Sequence, residues 1–222
     1  MLIPFDFLFE KYKIKPKGLL HIGANEAQER FDYDKLGIPK VLWVEPLDSV
    51  FRKAKENLLA FPNQTVVRAL ISDVDNQVVD FNVSNNESQS SSILPLGIHK
   101  TIHPEVHYVD TIPMTTIRLD SLFNALKRDD ANDYDFFVAD VQGFELPVIK
   151  SLGNLIENFE WFYLEINKVP VYEGGALVEE IDKYLWDFGF CRAETSTWVA
   201  DSWADGFYCK RFTNVGVEWL HP

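Results

Sequence analysis

Short apolar runs alternate with amphipathic stretches through the first half of this 222-residue chain, and that alternation restricts the fold more than any other feature. The runs Gly18–Ala24 (GLLHIGA), Lys40–Pro46 (KVLWVEP) and Thr65–Ser72 (TVVRALIS) are continuous rather than alternating, as strands buried on both faces are. Between them, EAQERFDYDKLG reads as a helix stopped by Gly37, and Asp48–Ala60 as a helix with Asp48 as its N-cap. Strand, helix and strand in succession imply a parallel sheet covered on both sides, with right-handed crossovers. The pattern breaks at Gln77–Ser84 (QVVDFNVS), whose period of two marks an antiparallel strand. A polar loop follows, then a strand at MTTIRLD and a helix capped by Asp120 that runs to Lys127. Asp135–Val141 and Glu160–Asn167 are again buried strands, and Ala176–Phe188 is an amphipathic helix. FCRAETST and GFYCKRF close the chain as two strands around a turn near Asp201–Asp205. The expectation is a single α/β domain over residues 1–222. Its sheet is Rossmann-like and mostly parallel, with antiparallel C-terminal strands, a β insertion after the third strand, and a loop insertion at about 84–113 serving as a lid.

Charge narrows the partners. Lys and Arg number 21 against 34 Asp and Glu, a formal charge of −13, which opposes a nucleic-acid backbone and an anionic membrane surface. Small neutral or cationic ligands stay open. The N-terminal apolar stretch is broken by Pro4, Asp6 and Glu10, and no apolar run approaches the ~18 residues of a membrane span. A cytoplasmic protein without membrane insertion is expected, its oligomeric state unread. Cys191 and Cys209 are expected to be buried, reduced thiols.

In a sheet of this kind, ligands bind beyond the carboxyl ends of the strands. The first strand ends in HIGANEAQE, where Gly23 permits a tight turn and the next helix presents its start. Asn25 and Gln28 stand where a dinucleotide fingerprint has its further glycines, which argues against NAD and FAD. Asn25 either hydrogen-bonds a compact polar group or merely caps the turn. Glu45 ends the second strand, 45 − 23 = 22 residues after Gly23. That is where a carboxylate accepts from both hydroxyls of a ribose. A ribose without a diphosphate suggests S-adenosylmethionine, held by Gly23, Ala24, Asn25, Glu45 and Pro46, with Ala69–Asp73 beside the adenine. Ser72 and Asp73 belong to that group, although SDVDN is equally a turn signal. Asp140 ends the strand FFVA and would face the reacting end of the cofactor. Glu165 ends YLEIN at the corresponding point on the next strand. Glu145 is either a participant or an ordinary first-turn carboxylate.

HIGANEAQE, VEPL, ALISD, the loop serines before IL, TTIRLDSL, DVQGFE and YLEIN follow in the order found in FkbM-family methyltransferases. The resemblance runs from about Gly18 to Arg211. It implies the class I S-adenosylmethionine-dependent fold and O-methylation of a hydroxyl on a sugar, glycan or glycosylated small molecule. It also maps Gly23, Asn25 and Glu45 to the cofactor and Asp140 to the active-site end. Two residues depart from the family pattern: Ala27 stands where a glycine is usual, and Gln142 where Glu is frequent.

Candidate catalytic residues are Asp140, Glu165 and His99, with His103, His107 and Glu145 as further candidates for the base. A divalent Mg²⁺ or Mn²⁺ on Asp140 and Glu165 is the mechanistic alternative, not the expectation. Trp161 and Trp186 read as core, while Trp198 and Trp203 either line an acceptor pocket or cover the sheet edge. A nucleotide-sugar oxidoreductase or epimerase and a non-catalytic binding module are the competing functions.

Overall fold

The computed structural model describes residues 1–211. Seven strands form one sheet in the order β3-β2-β1-β7-β8-β10-β9. The strands are β1 (Leu19–Ile22), β2 (Val41–Glu45), β3 (Gln64–Arg68), β7 (Phe136–Ala139), β8 (Trp161–Asn167), β9 (Phe190–Thr195) and β10 (Trp203–Lys210). β1, β2, β3, β7 and β8 are parallel, and β10 runs antiparallel to both β8 and β9. β1 lies between β2 and β7, so the chain reverses its direction of travel across the sheet at β1. That reversal opens a crevice beyond the carboxyl ends of β1, β2 and β7.

The central strands are buried on both faces, which explains why β1 (LLHI) and β7 (FFVA) lack alternation. One face carries Leu20, Leu42, Phe137, Phe162 and Ile181, among others. The opposite face carries Leu19, Trp43, Phe136, Tyr163 and Phe207. Onto this second face docks α1 (Phe5–Tyr12), through Phe5, Leu8, Phe9 and Tyr12. Phe5 stacks on Tyr163 with ring centres 5.1 Å apart. Burying four such side chains contributes roughly 6–12 kcal/mol, before ordering costs. No helix was expected here, because FDFLFEKY is too short and too uniformly apolar at its start to display a helical period.

The expected third strand over 65–72 divides. β3 stops at Arg68, and Leu70–Ile71 becomes β4 in a separate three-stranded sheet ordered β4-β6-β5. β5 (Val78–Ser84) and the long β6 (Tyr108–Ile117) pair antiparallel, so the strand expected at MTTIRLD is only the end of β6. The helix expected from Glu26 shrinks to α2 (Arg30–Lys35), because residues 25–29 are turns with Asn25 and Ala27 at positive φ. In α3 (Asp48–Asn57) the N-cap is Leu47, and Asp48 instead bonds Arg52 and Arg68. Arg118 precedes α5 (Leu119–Ala125), leaving Asp120 in its first turn. The segment between β5 and β6 holds a single turn of helix, α4 (His99–Ile102). α6 (Glu145–Lys150) and α7 (Val178–Asp187) match the helical stretches expected there.

Cys191 and Cys209 are buried thiols directly opposite each other on β9 and β10. Trp161 packs against the second core face, and Trp198 lies under the Lys168 ammonium at 4.3 Å from the ring centre. Phe212, at the end of the expected last strand, and Trp219 lie outside the described residues. Among the described residues, no helix is long and apolar enough to cross a membrane.

Candidate active site

Two clefts open beyond the carboxyl edge of the large sheet, and they meet at Gly23, Asn25, Gln89, Asp140 and Gln142. The first, of about 610 Å³, runs over the ends of β1 and β2 toward the smaller sheet. Its walls are largely apolar: Ile22, Val44, Leu70, Ile71, Phe81 and Phe144. The second, of about 1430 Å³, lies over β7, β8 and β10.

Backbone geometry builds the first cleft. Gly23 sits at φ +84°, and a Cβ there would fall 2.0 Å from the Asp140 carbonyl oxygen, so no side chain fits. The amides of Gly23 and Ala24 both donate to the Val44 carbonyl at 3.0 Å, which pins the turn to β2. Glu45 is 6% exposed, and its two carboxyl oxygens accept from the amides of Asn25 (3.0 Å) and Leu47 (2.9 Å). Burial raises its pKa to about 7, with the two amide donors opposing the rise. Each oxygen keeps a further lone pair, so acceptor capacity for a diol remains. A buried carboxylate with acceptor capacity to spare, an apolar slot beside it and a turn with no room for a Cβ fit an adenosyl group.

Asn25 serves neither of its two expected roles alone. At φ +42° its Oδ1 accepts from Glu26 N (2.8 Å) and Gln28 Nε2 (3.0 Å), while Nδ2 donates to the Glu87 carbonyl (3.3 Å). It therefore ties the first turn to the segment between β5 and β6. Pro46 lines the first cleft; Ala24 is buried beneath it. Ala27 holds φ +57°, the conformation that accounts for the family's glycine there.

Ser72 and Asp73, expected at the adenine end, line neither cleft. Because the chain leaves the large sheet after Arg68, Ser72 is carried to the β4–β6 junction, where its amide bonds the Ile117 carbonyl. The Ser72 hydroxyl contacts the Asp73 carboxyl at 3.3 Å. Ala69, Leu70 and Ile71 take the position beside the cleft instead.

At the junction of the clefts, Gln142 (φ +58°) donates from Nε2 to Asp140 Oδ1, and its Oε1 accepts from the Tyr172 hydroxyl. An amide bridges the two because it both donates and accepts; a Glu at 142 would set a second carboxylate against Asp140. Ser92 Oγ fixes the same loop through the Gln142 carbonyl at 2.9 Å. Glu145 is fully buried beneath it, and its Oε1 accepts from the amides of Val141 (3.0 Å) and Gly143 (3.3 Å). Glu145 lines neither cleft, so it shapes the loop that presents Asp140.

Burial, with the Asp205 carboxylate nearby, raises Asp140 to about 6. Burial raises Glu145 to about 7 and pushes Glu165 well above the ordinary range, the latter helped by Asp140 and Glu145. Glu165 and Asp140 do line one cleft, as their positions on adjacent strands predict. Among the described residues, no group of three or more His, Cys, Asp or Glu is placed to hold a metal ion.

His99 and His103 reach the second cleft, while His107 lines neither and bonds the Glu105 carbonyl. His99 is buried, which lowers its pKa, and its Nε2 lies 3.2 Å from Ser90 Oγ. Sequence reasoning missed His21, Glu29, Tyr172 and Asp205, all lining the second cleft. His21 and Asp205 lie inside apolar strands, where polar residues were the available signal. Tyr172 sits in a loop with none.

The family model for the FkbM methyltransferase domain matches residues 21–191, more than three quarters of the chain. No curated protein sequence matches the chain. Solved structures share the fold at low identity. Ribosomal protein L11 methylase from Lactobacillus delbrueckii subsp. bulgaricus superposes with a TM-score of 0.53 at 13% identity, covering 92% of this chain and 75% of that one. Magnesium protoporphyrin IX methyltransferase from Synechocystis PCC 6803, with S-adenosylmethionine bound, gives 0.52 at 11% identity, over 92% and 75%. A putative tRNA (m1A22) methyltransferase from Streptococcus pneumoniae, in complex with the same cofactor, gives 0.51 at 13% identity, over 95% and 73%. The strand order, the turn at Gly23 and the extent of the family match lead to one assignment: the chain belongs to the FkbM family of S-adenosylmethionine-dependent methyltransferases.

Proposed function

We propose that this enzyme transfers a methyl group to a hydroxyl of a sugar, glycan or glycosylated small molecule, with Asp140 as the base. The observation that carries this reading is the position of Asp140, the one carboxylate shared by the two clefts. S-adenosylmethionine supplies the activated methyl group. Glu45 accepts from the ribose hydroxyls, Gly23, Asn25 and Pro46 shape the wall around the cofactor, and Ala69–Ile71 flank the adenine. Asp140 takes the proton of the acceptor hydroxyl, a step typically worth ~10²–10⁴ in rate. A carboxyl raised to about 6 is largely ionised at pH 7 and a stronger base than an ordinary aspartate. Gln142 and Tyr172 hold it in one orientation.

The segment 84–113 acts as the lid. Ser88, Gln89, Ser91 and Ile93 reach the first cleft, and Gln89, Ser90, His99 and His103 the second. One segment thus closes both halves and excludes water from the transfer. His99 is placed as a wall of the acceptor cleft rather than as the base, since its Nε2 is engaged by Ser90 and Asp140 lies nearer the cofactor. The test is transfer of a labelled methyl group to fractionated glycans, followed by mass-spectrometric location of the mark. Label on a sugar oxygen supports the reading; label only on nitrogen, protein or RNA overturns it.

A further inference from the structure

The second cleft is lined by Glu29, Glu105, Asp140, Glu165 and Asp205, and no Lys or Arg among the described residues lines either cleft. None of Glu29, Asp140, Glu165 and Asp205 forms an ion pair with a Lys or Arg of the described residues. A solvated acidic face would need no explanation. These side chains are different: Glu165 is 8% exposed and Asp205 4%. Burying a carboxylate without a cation costs several kcal/mol, so such a group either stays protonated or awaits a partner.

Strand pairing brings the two together. Glu165 on β8 stands directly opposite Asp205 on β10, and Asn167 opposite Trp203 in the same register. Residues two apart share a face, so all four side chains lie on one side of the sheet. Asp205 Oδ2 is occupied by the Leu2 amide and the Tyr163 hydroxyl. Glu165 has the Asn167 side chain as its hydrogen-bonding neighbour. Asn167 is itself 3% exposed, and its Oδ1 has no donor. A buried amide oxygen without a donor beside an unneutralised carboxylate is a set of acceptors lacking a cationic donor. Two aromatic residues, Tyr172 and Trp203, complete the wall and offer ring faces that favour a cation.

We propose that the acceptor carries a protonated primary amine near the hydroxyl that is methylated, bound by Glu165 beside Asp205 and the Trp203 ring, with Asn167 holding the Glu165 carboxyl from outside the cleft. An ammonium has three donors and one charge, which answers the carboxylate. A phosphorylated, nucleotide-activated or carboxylated acceptor is disfavoured, since five carboxylates line the cleft against the Met1 amino group and no Lys or Arg. With the sugar reading above, on which this inference rests, the acceptor class becomes an amino sugar. The raised pKa of Glu165 agrees with a buried carboxyl that no Lys or Arg neutralises.

The test compares two trisaccharides of the same linkage, a chitosan trimer with 2-amino groups and cellotriose with 2-hydroxyls. Both are titrated calorimetrically into protein saturated with S-adenosylhomocysteine, at pH 7 and 0.15 M salt. The chitosan trimer is expected to bind at least tenfold more tightly, and Glu165→Gln to abolish that preference, so that the two trimers bind alike. Glu56→Gln, on an exposed face of α3, controls for general attraction to an acidic protein and is expected to change nothing. Equal binding of the two sugars overturns the amine and leaves the sugar reading standing. Binding of neither overturns both. A preference that survives Glu165→Gln, with thermal melting showing the variant folded, overturns the assigned site.

Discussion

The cofactor cleft and the acceptor cleft share Asp140 yet are built in opposite ways. The first is made by backbone: Gly23 pressed against the Asp140 carbonyl, two amides on Val44, and a Glu45 carboxylate satisfied by two amide donors. The second is made by side chains from β1, the turn after β7, β8, β10, the N-terminal segment and the lid, and its carboxylates face the cleft without a Lys or Arg among the described residues. A cleft satisfied before binding suits a ligand common to a whole family. A cleft left electrostatically incomplete is finished by its substrate, and there specificity resides.

The largest effect expected from this contrast is on turnover. Asp140→Asn should lower kcat by about 10²-fold or more, the usual contribution of a general base, while S-adenosylmethionine affinity stays within a few-fold. Steady-state kinetics beside equilibrium binding separates the two; equal losses in both would place Asp140 in the cofactor site alone. Glu45→Ala should do the reverse. Losing two hydroxyl contacts to a charged acceptor weakens cofactor binding by roughly 10–100-fold, with kcat at saturating cofactor little changed. Unchanged affinity would remove Glu45 from the ribose.

Titration sharpens the comparison further. Glu45 and Glu145 are raised to about 7 and Asp140 to about 6, from 4.5, 4.5 and 3.8, and Glu165 is raised as well. Glu45, Asp140 and Glu145 each hold a proton in the folded state that the unfolded chain releases, so their contribution is full below about pH 4 and is lost as pH rises through 6–7, and Glu165 acts in the same direction. The melting temperature should therefore fall between pH 5 and pH 8, by roughly 5 °C for a loss of about 2 kcal/mol in a chain of this size. Glu165→Gln should flatten that slope more than Glu45→Gln, because Glu165 has no backbone donors to offset its burial. A melting temperature that climbs over this range would contradict the burial of these groups as uncompensated acids. Smallest is Tyr172→Phe, which frees Gln142 Oε1 and should raise the acceptor KM a few-fold without altering cofactor affinity; the same kinetic and binding pair reads it.

How far each cleft could be read from sequence follows from the same contrast. Gly23, Asn25 and Glu45 lie in two consecutive strand-to-helix turns, so spacing along the chain stands in for distance in space. Asp140 and Glu165 end neighbouring parallel strands and were legible for the same reason. Asp205 and Trp203 face Glu165 and Asn167 only through antiparallel pairing of residues nearly forty apart, which no local pattern encodes. Tyr172 reaches Gln142 from a loop for which composition gives no direction. TVVRALIS reads as one strand because it is continuous in hydropathy, while the chain changes sheets within it, between Arg68 and Leu70. The helical segment after β1 was overextended because Asn25 and Ala27 adopt positive φ, which their identities only weakly signal.

A crystal structure with S-adenosylhomocysteine tests the central claim most directly. The account predicts the ribose hydroxyls within hydrogen-bonding distance of the Glu45 carboxylate, the adenine against Leu70 and Ile71, and the sulfur facing Asp140 at the mouth of the acidic cleft. A ligand seated elsewhere, or one whose sulfur points away from Asp140, would contradict it.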